Sequence, residues 1–171
     1  DCGLSDQPED VLVTYALGSC MAVAVYDPVT RVGGLLHLLL PDSGIDREKA
    51  RANPYMFADT GIPALFRRAY GMGAERSRLR IRLAGGASIM DDAGVFDIGR
   101  RNYTAARKIL WKAGLMVHGE AVGGTMARTV RMEIATGRLW FRAPGMAEQE
   151  LADAAPKNMR EVSNGVPCFD R

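Results

Sequence analysis

Two runs of apolar residues lie close together in the first quarter of the chain, at 21–26 and 32–40. In neither run do apolar residues alternate regularly with polar ones. Side chains of a strand point alternately to its two faces, so unbroken apolar runs indicate strands covered on both sides. The segment between them, Asp27-Pro28-Val29-Thr30, has Asp and Pro at the first two positions of a β-turn. The pattern predicts a hairpin at the centre of the fold.

Helical spacing marks residues 55–70, and Gly71 follows where such a helix would end. Gly61 and Pro63 lie inside this segment. We expect them to kink the first half of the helix, or to delay its regular part until Thr60 can cap it. A second helix is predicted over 98–113.

Asp97 is the expected N-cap of that second helix and Gly114 its terminator. Most other apolar runs are of strand length, and several alternate with arginine, as in strands with one buried face. These strands are predicted at 11–14, 78–83, 115–121, 129–134 and 138–142. Their arginines are expected on solvated surfaces: Arg78, Arg80, Arg82, Arg128, Arg131, Arg138 and Arg142. Strands joined by hairpins outnumber helices, which predicts an α+β fold with antiparallel or mixed sheets.

Composition narrows the class of protein. The 171 residues include 22 basic and 20 acidic ones, and a formal charge of +2 offers no electrostatic case for a nucleic-acid partner. No apolar run reaches the length of a membrane span, and the first residues contain no signal region. We expect one domain over 1–171, with its core at about 11–142 between a loose N-terminal lead-in and a weakly organised C-terminal tail.

The chain has three cysteines, Cys2, Cys20 and Cys168, without CxxC spacing. This odd count predicts neither a disulfide framework nor a zinc site and favours a reducing cytoplasm. Imidazole chemistry has two candidates. His118 lies in a predicted strand and is expected to be structural, whereas His37 lies in the apolar run that follows Cys20.

Cys20 and His37 stand directly opposite each other if the hairpin turn is centred between Pro28 and Val29. Their Cβ atoms would then be about 4.5–5.5 Å apart on one face of the sheet. A slip or a bulge at Gly33-Gly34 would separate them. Two interpretations follow. The imidazole takes the thiol proton in an active site, or a buried cysteine packs as a small hydrophobe beside a hydrogen-bonded histidine.

Neighbouring residues suit the catalytic interpretation. Thr14, in the preceding strand, is the nearest candidate to orient the imidazole. Gly18 and Ser19 would expose the thiol and leave backbone N–H groups for an oxyanion. With Ala16 they would form a narrow slot, for which residues 42–53 and 85–96 are the expected walls. The Gly-Gly pairs are predicted turns, because none continues into the GK[ST] of a phosphate loop.

T-Y-A-L-G-S-C, followed by G-G-L-L-H-L-L-L-P-D-S-G, resembles the CheD family of chemoreceptor glutamine deamidases. The likeness continues through Y-M-F-A-D-T, L-A-G-G-A-S, I-G-R-R-N, V-G-G-T-M-A-R and T-G-R-L, in unbroken order over about 11–142. The resemblance implies hydrolysis of particular glutamine side-chain amides in methyl-accepting chemotaxis receptors. Some members also hydrolyse glutamate methyl esters. It further implies a cytoplasmic protein associated with receptor arrays, without membrane insertion.

By the same resemblance, Cys20 is the nucleophile, His37 the general base and acid, and Thr14 the orienting third member. Gly18, Ser19 and Asn102 are candidates for oxyanion binding or site shaping, and Asn102 is equally a hydrogen-bond anchor or a substrate contact. No metal or organic cofactor is implied. The implied fold is a β-sandwich flanked by helices, similar to the deamidating toxins typified by cytotoxic necrotising factor.

The chain departs from the family pattern away from these residues. Ala121 stands where an acidic residue is usual, Thr125-Met126 where Asn or a basic residue is common, and Gly61 and Pro63 interrupt a helix that is usually regular. These positions concern docking of receptors and of the phosphatase CheC, a partner of many CheD proteins. The alternative function is therefore an adaptor that binds receptor or CheC with little catalysis. The intact Thr14, Cys20 and His37 favour the enzyme.

Overall fold

The computed structural model describes residues 1–88 and 97–154. Within these ranges the chain forms nine strands and three α-helices. The strands are β1 (Cys2–Ser5), β2 (Val11–Leu17), β3 (Met21–Tyr26), β4 (Gly33–Leu38), β5 (Arg80–Gly85), β6 (Gly119–Val122), β7 (Arg128–Glu133), β8 (Leu139–Arg142) and β9 (Gln149–Glu150). The helices are α1 (Arg47–Ala52), α2 (Ala58–Gly71) and α3 (Ile98–Lys112). None of the helices in this part of the chain is long and apolar enough to cross a membrane.

Two sheets form a sandwich. The first has the order β1-β4-β3-β5-β6 and is antiparallel except for its β5-β6 pair, which α3 connects. The second is antiparallel, in the order β2-β7-β8-β9. Residues of α2 and α3 pack on the face of the first sheet that is turned away from the second. The predicted α+β architecture with mixed and antiparallel sheets flanked by helices is confirmed.

The central position of β3 explains why its apolar residues do not alternate. All six of its residues are buried. Val23 and Val25 pack toward the helices, while Ala22 and Ala24 pack between the two sheets. A strand with a layer on each face has no polar side, so the predicted central hairpin of β3 and β4 is confirmed.

The predicted pairing within this hairpin is wrong by two residues. His37 lies opposite Ala22, and Tyr26 opposite Gly33. The turn is longer than expected because the Asp27 carboxylate accepts hydrogen bonds from the backbone N–H groups of Val29 and Thr30, and Asp27 N–H donates to the Val32 carbonyl. A shift of two residues keeps every side chain on its predicted face, since side chains alternate with a period of two.

The described segments on both sides of the predicted core, 1–10 and 143–154, contain more regular structure than expected. The predicted loose lead-in is wrong for β1, which pairs with the edge of β4. After residue 142, β9 pairs with β8 and Leu151 is buried. Cys168 and the greater part of the 85–96 loop lie outside the described residues.

The helices follow their local signals with one exception. Asp97 caps α3 by accepting from the Arg100 N–H at 3.1 Å, as predicted. However, α2 begins at Ala58, before Thr60, whose hydroxyl instead donates to the Pro54 carbonyl. Gly61 allows a close approach, because a Cβ there would lie 3.1 Å from the Tyr55 backbone.

Two arginines expected on solvated surfaces make buried contacts instead. Arg82 is buried and donates to Asp153 and to the Gly137 carbonyl. Arg78 donates to both oxygens of the fully buried Asp27. Burial alone would raise the pKa of Asp27, but hydrogen bonds from Arg78 and three backbone N–H groups hold it far below its usual range. An ion pair therefore anchors the hairpin turn.

Candidate active site

Thr14 and His37 meet across the gap between the two sheets. Thr14 lies on β2 of the second sheet and His37 on β4 of the first, with 2.9 Å between Oγ1 and Nδ1. This hydrogen bond orients the imidazole ring. The Nε2 atom of His37 is buried and has no hydrogen-bond partner in the described part of the chain. The ring therefore has one nitrogen held by the fold and the other unengaged.

A bulge in β2 leads the chain from Thr14 toward the thiol. Thr14 pairs with Val130, but three residues later Leu17 pairs with Arg128, so β2 contains one extra residue. Ala16, inside the bulge, has a positive φ of 53°. Bulges of this kind bend a strand and redirect the side chains that follow.

The sequence predicts that the backbone N–H groups of Gly18 and Ser19, in the loop after the bulge, are free to bind an oxyanion. Among the described residues, only one of the two is free. The Gly18 N–H donates to the Ala16 carbonyl at 2.8 Å, so it is not available to an oxyanion, contrary to expectation. Its carbonyl accepts from the Ala87 N–H at 2.8 Å. Within residues 1–88 and 97–154, nothing accepts from the Ser19 N–H. Ser19 remains the oxyanion candidate.

Cys20 lies immediately before β3, and its side chain packs against the intersheet cluster that includes Ala22. Since Ala22 is the residue opposite His37, the thiol and the imidazole share a face of the first sheet, offset by two residues. The predicted shared face is confirmed. A direct sulfur–nitrogen hydrogen bond is not formed, because Nδ1 is bonded to Thr14 and Nε2 has no partner.

Gly85 and Gly86 form the turn beside the thiol. The Gly86 N–H donates to the Cys20 carbonyl at 2.8 Å. A Cβ on Gly85 would lie 2.3 Å from that carbonyl oxygen, and both glycines have positive φ angles, of 105° and 64°. Only glycine fits this approach, which accounts for the pair as a turn.

Burial sets the charge state of the resting pair. It raises the pKa of the Cys20 thiol above its ordinary value, although the residue's own backbone N–H opposes the shift. It lowers the pKa of His37 below its ordinary value. At neutral pH the site therefore holds a thiol and an uncharged imidazole, and His37 can accept a proton.

Asn102 joins the two segments that carry the candidate residues. Its side chain is fully buried on α3, and its Nδ2 donates to the Ser19 carbonyl at 2.9 Å and to the Leu39 carbonyl at 2.8 Å. Ser19 precedes the thiol, and Leu39 follows His37 by two residues. Of the two roles open from the sequence, this geometry is that of an anchor.

Two further side chains contact the backbone of β5, and His118 does so at the end remote from Cys20. His118 accepts at Nδ1 from the Ile81 N–H at 3.1 Å, a structural contact as expected. Arg128 is a residue that sequence reasoning missed: instead of lying on a solvated surface, it donates to the carbonyls of Gly85 and Gly123. The sequence signal that could have identified Arg128 is its place at the end of the V-G-G-T-M-A-R motif. No group of three or more His, Cys, Asp or Glu among the described residues could hold a metal ion.

Comparison with known proteins places this chain in one family. The family model described as CheD chemotactic sensory transduction matches residues 39–143. The probable chemoreceptor glutamine deamidase CheD of Solibacter usitatus is 57% identical over 157 residues, covering 92% of each chain. The chemoreceptor glutamine deamidase CheD of Thermotoga maritima is 42% identical over 139 residues, covering 81% of this chain and 85% of the relative. The family model matches more than half of the chain and these relatives cover most of it, so the chain belongs to the CheD family.

Proposed function

We propose that this protein hydrolyses the side-chain amides of particular glutamines in methyl-accepting chemotaxis receptors, giving glutamate and ammonia. The observation that carries the proposal is the geometry of His37. Its Nδ1 is hydrogen-bonded to Thr14, its Nε2 has no partner in the described part of the chain, and Cys20 lies on the same face of the first sheet. Relatives that cover most of the chain are named chemoreceptor glutamine deamidases, which supports the same activity.

The first half of the reaction forms a thioester. As the substrate amide enters, the Cys20 side chain rotates toward the ring and its proton passes to His37 Nε2. The sulfur attacks the carboxamide carbon, and the Ser19 N–H stabilises the negative oxygen of the tetrahedral intermediate. His37 then donates its proton to the amide nitrogen as the C–N bond breaks, and ammonia leaves.

The second half regenerates the enzyme. His37 takes a proton from a water molecule, whose oxygen attacks the thioester carbon. The C–S bond breaks, the proton returns to sulfur, and the product is a glutamate side chain. Thr14 acts throughout by keeping Nε2 directed at the reacting atoms, which is the role of the orienting group in thiol hydrolases.

The test is mass spectrometry of a purified receptor cytoplasmic fragment after incubation with this protein. The wild type is expected to produce the mass shift of glutamine-to-glutamate conversion at specific positions. Cys20→Ala and His37→Ala should remain folded and lose this activity by several orders of magnitude. Equal conversion by a folded Cys20→Ala variant would rule out the mechanism.

Substrate size provides a second test. A narrow slot lets an unbranched side chain enter, while contacts elsewhere on the substrate hold the amide in place. Free glutamine and short glutamine peptides are therefore expected to be very poor substrates beside the folded fragment. Similar kcat/KM values for all three would indicate a small-molecule amidase.

The proposal implies a cytoplasmic protein that works at receptor arrays. Hydrolysis of glutamate methyl esters would follow the same thioester route with methanol as the leaving group. Binding of CheC stays a prediction from the family resemblance. The adaptor function predicts no mass shift in the receptor fragment, so the same experiment separates the two functions.

A further inference from the structure

One face of α3 presents three cations that form no ion pair within residues 1–88 and 97–154. The helix contains five basic residues and no acidic one. Two of the five form ion pairs with carboxylates of neighbouring segments. The other three, Arg101, Lys108 and Lys112, are exposed and have no ion pair in the described part of the chain. Their spacing of seven and four residues aligns them along one side of the helix.

These cations border a hollow of about 690 Å³ between α3 and the chain that follows β4. Two carboxylates, Asp42 and Asp59, also line it. Asp59 accepts from both the backbone N–H and the hydroxyl of Ser43, and Asp42 accepts from the Gly44 N–H. Both carboxylates therefore accept hydrogen bonds from the Ser43-Gly44 segment, whereas the three cations have no ion pair among the described residues.

A second hollow of about 640 Å³ continues between α2 and α3. Its floor is apolar and includes Ile62 and Phe66, and Arg67 stands on its α2 side. Ile109 and Lys112 line both hollows, so the two lie side by side along α3 and are together called the α3 groove. From Arg101 to Gly114 this α3 groove is about 20 Å long, at 1.5 Å per helical residue.

We propose that the α3 groove binds an acidic amphipathic helix of the protein substrate, outside the segment that contains the modified glutamine. The apolar floor of the second hollow suits the apolar face of a helix, and the whole length of about 20 Å accommodates about four helical turns. Cations on both sides of the groove complement acidic residues flanking that face. The inference rests on the proposed function and adds where the substrate is held.

The position of the groove favours the substrate over an unrelated partner. Its first cation, Arg101, adjoins Asn102, whose amide contacts the segments of Cys20 and His37. Pro41, at the same end, follows Leu39 by two residues. A helix in the groove would therefore begin beside both segments that carry the reacting groups.

Charge reversal on each side of the groove tests the proposal. Lys108→Glu and Arg67→Glu are exposed changes on α3 and α2. Arg31→Glu is the matched control, with the same change in charge at the β3–β4 turn, the end of β3 remote from Cys20. KM and kcat would be measured with the receptor fragment by ammonia release, and Kd with the Cys20→Ala protein as background.

Both groove variants are expected to raise KM and Kd about tenfold and to leave kcat within about twofold. Added salt should raise the wild-type KM more than that of Lys108→Glu, because screening acts on the charges that remain. The control should match the wild type. An unchanged KM in the groove variants, or an equal rise of KM in Arg31→Glu, would overturn the proposal that the α3 groove binds the substrate. A wild type that binds the fragment without deamidating it would instead overturn the proposed function.

Discussion

Asn102 connects the segment before Cys20 to the segment after His37. Substituting Asn102 should lower turnover by more than the loss of stability explains. In Asn102→Ala the Ser19 and Leu39 carbonyls lose their donor. Two lost hydrogen bonds of a buried amide lower the free energy of unfolding by about 2 to 3 kcal/mol. Asn102→Asp keeps the size of the side chain but replaces the donor by an acceptor, so it should be destabilised at least as much.

The effect on turnover should be larger than the stability change alone would cause. Without the anchor, the segments of Cys20 and His37 can shift relative to each other. Misplacement of a reacting group by about 1 Å costs about 100-fold in rate. We expect kcat for the receptor fragment to fall by about 10- to 100-fold in Asn102→Ala, with KM little changed, at a temperature where the variant is fully folded.

The matched control is Asp27→Asn, which weakens the fold at the opposite end of β3, about 20 Å along the strand from Cys20. Urea unfolding measures the stability of both variants, and ammonia release measures their turnover. Asp27→Asn should lose comparable stability and keep its kcat. An Asn102→Ala protein that is equally destabilised but keeps kcat within about twofold would refute the positioning role.

Three further predictions follow from the same geometry. Thr14→Val removes the hydrogen bond to His37 Nδ1 and should lower kcat at least tenfold, whereas Thr14→Ser should retain most activity. Equal rates in the two variants would contradict the orienting role. Because burial raises the pKa of the Cys20 thiol, its alkylation by iodoacetamide in a Cys2→Ser/Cys168→Ser background should have a midpoint at higher pH than that of an exposed cysteine in a short peptide. A midpoint at lower pH than the peptide's would refute the neutral resting pair. The lowered pKa of Asp27 contributes to the free energy of unfolding above the ordinary pKa of the group, and this contribution is lost as pH falls. Urea unfolding should therefore show a smaller loss of stability between pH 7 and pH 3 in Asp27→Asn than in the wild type.

Local signals account for the elements that were predicted correctly. The apolar run of β3 and the Asp97 cap of α3 depend on residues a few positions apart, so they can be read without knowing the fold. The hairpin register could not be read in this way. Asp27 shapes the turn while it is held by Arg78 and by the Glu75 N–H, which lie 51 and 48 residues away.

The sequence by itself determined which groups are available: a thiol, an imidazole and a hydroxyl in a motif typical of one family. It also predicted the first two on one face of the sheet, which a register error of two residues leaves unchanged because side chains alternate with a period of two. Only the tertiary structure decided how they are held. Thr14 reaches the ring from the second sheet, across 23 residues of chain, and Asn102 reaches Ser19 and Leu39 from α3, across 83 and 63 residues. Such contacts depend on how the layers pack, and periodicity along the chain contains no information about the distance between layers.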